Sequence, residues 1–446
     1  MSTLLQSFEK FVNKEALFTT EDDLLIAVSG GLDSVVLLHL LMSLKYSTAI
    51  AHCNFQLRGK DSDQDATFIE GLGKSYHAKV HLQKFDTTTY AENHQVSTQL
   101  AARELRYRWF EELLASHKYK YLLTAHHAND QVETMLYNLT KGTGIAGLRG
   151  IPLKNNYVRR PLLFANREEI ELYAKEHQLE WREDASNQQD KYSRNHLRLN
   201  VIPELKEINP GLEQTMLQNS RRFDALEKLL MKEVSSIKGQ FFKQKNTTYS
   251  LGMEWYDESK GGLSVLTEIL KPYGFNFDQC ISIGEATNAQ AIGKQFYSRK
   301  FVLAIDREKI SIVPQQSNES FSILISDINQ LATVPFADFT LEITDKNESW
   351  SKDTKVANLD ADLISLPLKI RNWNQGDFFI PLGMKGKKKI SDFMIDEKIP
   401  VNLKSRVTLF ESNDDIIWVA GYRIDDRYKV TPKTKRVLII KMTDHV

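Results

Sequence analysis

A buried-type strand that runs into a double-glycine turn and then a helix is the feature that most restricts this chain. Leu24-Leu25-Ile26-Ala27-Val28 leads straight into Ser29-Gly30-Gly31-Leu32-Asp33-Ser34, and an apolar helical run opens at Val35. Glycines let the backbone approach a ligand closely, successive N–H groups point into the turn, and the positive end of the helix faces the same spot. Such a turn is an anion site, and Ser29 and Ser34 add hydroxyl donors to it. Asp33 would repel a phosphate unless a divalent cation lay between them, so the pattern points to a magnesium–phosphate ligand with Asp33 on the metal side. The alternative is a plain strand-to-helix turn with Asp33 or Ser34 as N-cap.

Around this turn, short apolar runs alternate with longer amphipathic ones, the βαβ signature of a parallel sheet. The pattern predicts strands over 24–28, 48–53, 80–85 and 121–124, and helices over 34–44, 61–74, 97–117 and 130–141. The expected fold class is α/β: a doubly wound parallel sheet in an N-terminal catalytic domain over 1–210, followed by smaller mixed α/β and β-rich domains. A linking helix at 211–238 opens a first C-terminal domain that ends near 315. A connecting segment over 316–355 and a strand-rich last domain over 356–446 complete the expected organisation.

Composition narrows the class. Lys+Arg and Asp+Glu both total 58, so affinity for nucleic acid has to come from local patches and not from overall charge. Two cysteines, Cys53 and Cys280, cannot build a four-thiolate zinc site or a disulfide framework, and they fit a reducing cytosol. The N-terminus lacks the apolar core of a signal peptide, and the longest apolar stretch, 35–44, is too short to span a bilayer. A cytoplasmic protein without a membrane partner is expected. Two motif look-alikes are set aside: Gly73-Lys74-Ser75, which lacks the first glycine of a Walker loop, and Gly142-Thr143-Gly144-Ile145-Ala146-Gly147, which follows a helix and reads as a flexible substrate loop.

The residues at 29–34 match the SGGxDS loop of the N-type ATP pyrophosphatases. Further segments narrow the resemblance: Ala51-His52-Cys53-Asn54-Phe55-Gln56-Leu57-Arg58-Gly59 with Asp61, Ser62 and Asp65; Ala102-Arg103 with Arg106-Tyr107; and Ala125-His126-His127-Ala128-Asn129-Asp130-Gln131-Val132-Glu133-Thr134. So do Arg160-Pro161-Leu162, Glu183-Asp184-Ala185-Ser186-Asn187, Arg194-Asn195 with Arg198, and Gly376-Asp377 followed by Pro381-Leu382-Gly383-Met384-Lys385-Gly386-Lys387-Lys388-Lys389. Together these resemble the bacterial tRNA(Ile)-lysidine synthetase family over nearly the whole chain except its middle. Two positions depart from the family pattern: Phe55 replaces a histidine, and Asn129 an aspartate.

The resemblance implies ATP-dependent ligation of free L-lysine to C2 of the wobble cytidine in isoleucine tRNA with a CAU anticodon. The route is an adenylated tRNA, with release of pyrophosphate and then AMP. It implies ATP binding by Ser29, Gly30, Gly31, Leu32, Asp33 and Ser34, with magnesium on Asp33. Arg103 and Arg106, at i and i+3, would clamp phosphate or tRNA backbone, or else form ion pairs with Glu104 or Glu111. Asp130 and Glu133 would hold lysine and help deprotonate its amine, with His126 beside them; Asp-x-x-Glu is equally a capping box with Asp130 as N-cap. Adjacent His126 and His127 point to opposite sides, so at most one is expected in the site. For tRNA the candidates are Arg160, Arg194, Arg198, Lys385, Lys387 and Lys388, with aromatic neighbours Trp373, Phe378 and Phe379. A homodimer is left open. The nearest rival, an adenylating tRNA thiolase, needs sulfur carriers, and the chain lacks a C-x-x-C pair.

Overall fold

The computed structural model describes residues 3–57, 59–182, 193–315, 321–328, 331–335, 337–345 and 351–444. The family matches at Arg58 and at 183–187 lie outside the described residues. The chain divides into two compact units, Met1–Lys228 and Leu229–Val446. The division falls inside a helix, Leu212–Phe241, and not at its start near 210: the first turns of that helix pack on the first unit, with Leu212 against Val132 and Ile202.

The first unit carries β1 (Leu24–Ala27), β2 (Thr48–Asn54), β3 (Val80–Lys84), β4 (Tyr121–Leu123), β5 (Lys154–Asn155) and β6 (Val158–Arg159). Its helices are α1 (Leu4–Lys14), α2 (Leu32–Ser43), α3 (Lys60–Ser75), α4 (Thr87–His94), α5 (Thr98–His117), α6 (Ala128–Lys141), α7 (Ile145–Leu148), α8 (Arg167–Glu176), α9 (Ser193–His196), α10 (Ile202–Ile208) and the part of α11 (Leu212–Phe241) up to Lys228. The sheet order is β3-β2-β1-β4-β6-β5, parallel except for the final β6-β5 pairing. Both faces are covered, which is why β1 is apolar at every position. Leu24 and Ile26 pack with Val36, Leu40 and Ile170 on one face, while Leu25 packs with Trp109, Phe110 and Leu122 on the other. Strands β2 and β3 lie to one side of β1, and β4 and β6 to the other, so the β1/β4 boundary is the switch point where sheets of this kind bind ligands.

Sequence periodicity and structure differ at several places. Helix α2 begins at Leu32 with Gly31 as its N-cap, so Asp33 and Ser34 lie inside the first turn and neither caps it. The glycine-rich stretch at 142–147 is no flexible loop: Ile145–Leu148 is a helical turn, and Asn138 donates to the Gly147 carbonyl at 2.9 Å. Phe55 has a packing reason, since its ring stacks on Phe85 at 5.7 Å.

In the second unit, an antiparallel sheet in the order Phe242–Lys245, Thr248–Gly252, Lys309–Pro314, Phe301–Ile305, Gln295–Tyr297 packs against helices Gly262–Leu270 and Phe277–Asn288. The rest is β-rich, but 316–355 is more than a connector. It supplies Ser322–Ile325, Ala332–Val334 and Ala337–Asp345, the last paired along its whole length with Arg436–Asp444. That partner lies about a hundred residues further on, a separation local patterning does not register. Two sheets meet over Phe339, Phe410 and Trp418. Among the described residues no helix is long and apolar enough to cross a membrane.

Candidate active site

The turn after β1 is built around Gly30, whose φ of 95° is a left-handed conformation that side chains with a Cβ avoid. Ser34 then ties the loop shut. Its Oγ accepts from the Ser29 N–H at 3.2 Å and donates to the Gly31 carbonyl at 2.9 Å, while Ser29 Oγ accepts from the Gly31 N–H at 3.3 Å. The serines therefore shape the loop as well as lining it. Arg182 lies across the turn: its N–H donates to the Gly30 carbonyl at 2.9 Å and its guanidinium pairs with buried Asp65.

Asp33, expected to face a metal, is held by an arginine that sequence reading missed. One guanidinium nitrogen of Arg167, the first residue of α8, donates to both carboxylate oxygens at 2.6 and 2.7 Å. No periodic signal marks Arg167; the capping box Asn166–Glu169 next to it is the clue that a helix begins there.

The segment after β4 supplies the opposite wall. His127 is the N-cap of α6, and Asp130 folds back to accept its N–H at 3.0 Å. The capping box is thus real but shifted by three residues: Asp130 is its third residue and not its N-cap, which leaves Glu133 free of capping. His127, not His126, stands between the acids, with Nε2 at 3.7 Å from Asp33 and 3.6 Å from Asp130. On the extended backbone at 127 neighbouring side chains diverge, and the ring of His126 turns to Thr124 at 3.0 Å. Burial, with Arg160 and Arg106 near, drives the His126 pKa down to about 4 despite the opposing pull of Asp130.

Glu133 is 5% exposed, and burial pushes its pKa up while Arg198 pulls it back. Arg198 forks onto it, Nε to Oε1 and Nη2 to Oε2 at 3.0 Å, and lies 3.8 Å from Asp130. Asp33, Asp130 and Glu133 with His127, Arg167 and Arg198 therefore form one group, and two arginines occupy the acids that lysine and magnesium would need. Arg198 belongs to this group and its guanidinium is committed to the acids, so the free tRNA contact expected of it is not what the structure shows.

Arg103 and Arg106 flank Tyr107 at 4.9 and 5.4 Å and make no ion pair with Glu104 or Glu111 among the described residues; those acids accept from Tyr90 and Tyr157. Arg160 is a correction: it is 6% exposed and donates to the Pro152 carbonyl at 2.6 Å, so its guanidinium is buried in the fold and not displayed as an open surface patch. Arg194 lies over the Tyr137 ring at 5.3 Å. In the second unit Lys385 and Lys387 are exposed, Lys387 sitting 4.1 Å above Phe378, whereas Lys388 pairs with Asp396. Phe379 is core, and Trp373 is tied to the Lys404 carbonyl.

The donor set can be tested against magnesium. Among the described residues no three histidines, cysteines or carboxylates gather as a protein cage. One carboxylate at a phosphate loop is nevertheless the set magnesium takes when triphosphate oxygens complete it, so Asp33 fits.

A glycine loop at the switch point of a parallel sheet, walled by carboxylates, defines the class as an ATP-binding α/β domain of the PP-loop type. The family pattern described as PP-loop domain matches residues 1–205, that described as TilS substrate binding domain matches 244–315, and that described as TilS substrate C-terminal domain matches 368–440. The tRNA(Ile)-lysidine synthase of Bacteroides thetaiotaomicron is 36% identical over 436 residues, covering 97% of this chain and 98% of its own. That of Parabacteroides distasonis is 34% identical over 438 residues, covering 98% and 99%. Among solved structures, a U34-tRNA thiolase from Methanococcus maripaludis aligns with 49% of this chain and 78% of its own at 17% identity and a TM-score of 0.41. The chain belongs to the tRNA(Ile)-lysidine synthase family, ligases built on an ATP-binding PP-loop domain.

Proposed function

We propose that the chain joins free L-lysine to C2 of the wobble cytidine of CAU-anticodon isoleucine tRNA in two chemical steps. In the first, the cytidine O2 attacks the α-phosphorus of ATP, the bond to the bridging oxygen breaks and pyrophosphate leaves. In the second, the lysine ε-amine attacks C2, the C2–O bond breaks and AMP departs with that oxygen. The observation that carries this reading is the phosphate loop and the Asp130/Glu133 pair on opposite sides of one switch point.

Catalysis of this kind is mostly positioning and charge neutralisation. The N–H groups of Gly30 and Leu32 hold the phosphates, joined by the Gly31 N–H and the Ser29 and Ser34 hydroxyls as these exchange the bonds that close the empty loop for phosphate oxygens. Magnesium, when bound on Asp33, supplies charge neutralisation of the triphosphate. Arg103 and Arg106 approach the nucleotide or the tRNA backbone. Glu133 takes the lysine ammonium as Arg198 releases it, and a buried acid with a raised pKa is suited to accept the proton the amine loses. Arg194, Lys385 and Lys387 contact tRNA phosphates. Sulfur transfer is disfavoured, since burial pushes the Cys53 and Cys280 thiols up to about 12 and 11.

Incorporation of labelled lysine into unmodified CAU-anticodon isoleucine tRNA tests the proposal, with AMP counted after mild alkali. Alkali-stable label matched by AMP is expected. AMP without lysine uptake refutes the assigned nucleophile, and neither product refutes the adenylation reading.

A further inference from the structure

Arg167 forms the shortest ionic contacts of the phosphate loop, yet nothing in the reaction as written uses it. Its position is set from outside the loop. The Arg167 N–H donates to Asn129 Oδ1 at 2.9 Å, and Asn129 Nδ2 donates to buried Glu213 of α11 at 2.9 Å. Glu213 also takes Lys206 at 2.6 Å, and Lys206 reaches Glu168, the neighbour of Arg167, at 3.1 Å. An amide at 129 fits both contacts, because one end accepts and the other donates.

The guanidinium so aimed spends Nη1 on Asp33 and Nε on Glu171 at 3.1 Å, while Nη2 has no partner among the described residues. Its side chain is 39% exposed, so it is open to a ligand entering the loop. While Arg167 Nη1 bridges both Asp33 oxygens, a divalent cation cannot take them bidentately and competes with the guanidinium charge for either one. An arginine displaced from a carboxylate beside a triphosphate has an immediate new partner, since its planar fork suits phosphate oxygens as well as carboxylate.

We propose that Arg167 is an exchangeable cation of the phosphate loop: it neutralises Asp33 in the empty site and moves to the triphosphate as magnesium takes Asp33. This role rests on the reading of residues 29–34 as the ATP site. Arg167 and a metal ion then compete for one carboxylate in the absence of nucleotide and cooperate in its presence. A merely structural Arg167, pinning α8 to the loop, would also uncover Asp33 on removal, so weaker binding of the nucleotide analogue is the effect that separates the two roles.

The test uses the full chain and two binding measurements without turnover. Titration with Mn2+ alone is followed by electron paramagnetic resonance, and binding of α,β-methylene-ATP with magnesium by calorimetry. Arg167→Met is expected to bind Mn2+ at least fivefold tighter than the wild type, with that gain abolished in Asp33→Asn/Arg167→Met. It is expected to bind the analogue at least tenfold more weakly, and Arg167→Lys, which keeps the charge but loses the fork, to recover part of that loss. Unchanged Mn2+ affinity in Arg167→Met, or analogue affinity within twofold of wild type, overturns the proposal. Should Arg167→Met not fold, Arg167→Lys decides alone: analogue binding about threefold weaker supports the role, and binding equal to wild type overturns it. Failure of the wild type itself to bind the analogue refutes the ATP-site reading instead.

Discussion

Replacing Asn129 by aspartate changes one atom type at the junction of α6, α8 and α11, and its cost can be worked from the distances. The new carboxylate still accepts the Arg167 N–H, but the 2.9 Å hydrogen bond to Glu213 becomes a contact between two carboxylate oxygens. The lost bond had a charged acceptor and contributes about 1.5–3 kcal/mol. Repulsion between unit charges about 4 Å apart at an effective dielectric near 20 reaches about 4 kcal/mol, an upper bound that Lys206, 2.6 Å from Glu213, and side-chain movement reduce. Asn129→Asp should therefore destabilise the first unit by about 2–4 kcal/mol, lowering its melting temperature by about 5–10 °C. In Asn129→Asp/Glu213→Gln the new amide can donate to the new carboxylate, so the double variant should be more stable than Asn129→Asp alone by about 1–2 kcal/mol. Calorimetry of the full chain, run as a double-mutant cycle, reads both numbers. A single variant within about 0.5 kcal/mol of wild type, or strictly additive effects, would refute the reasoning.

Two further expectations follow from the acid cluster and its neighbour. Glu133→Gln should raise the KM for lysine about 10–100-fold and leave the KM for ATP within about twofold, because a charged hydrogen bond is lost from one substrate only; parallel changes in both constants would remove Glu133 from lysine binding. The His126 imidazole, with its pKa near 4 in the folded chain, takes up its proton later than in the unfolded chain. Its contribution to stability is complete well above pH 6.5 and falls as pH drops toward 4, by about 1–2 kcal/mol between pH 6.5 and 5. Urea titrations at those two pH values should show that loss in the wild type and not in His126→Gln; equal losses in both would refute it.

Much of the first unit was legible because its signals are local. The apolar run of β1, the glycine turn and the amphipathic helices α2, α3, α5 and α6 follow from strand and helix periodicity, with ends displaced by only a few residues. Helices α1, α4 and α8 were not anticipated. Helix α4 is short with a mixed face, and α8 starts at a capping box in a stretch broken by prolines. The strands within 316–355 escaped for a different reason, since their partners are remote in sequence and their own pattern is weak.

By itself the sequence determined that a phosphate loop sits between a buried strand and a helix, that Asp130 and Glu133 share a helix start, and that charge balance leaves tRNA contact to local patches. Backbone chemistry and periodicity suffice for such statements. Only the tertiary structure decided which charges meet: Arg167 on Asp33, Arg198 on Glu133, His127 in place of His126, and Arg160 turned inward. Those pairings join residues up to 134 positions apart, and their partners are selected by burial, which leaves a charged group in the interior only where another charge or a carbonyl meets it.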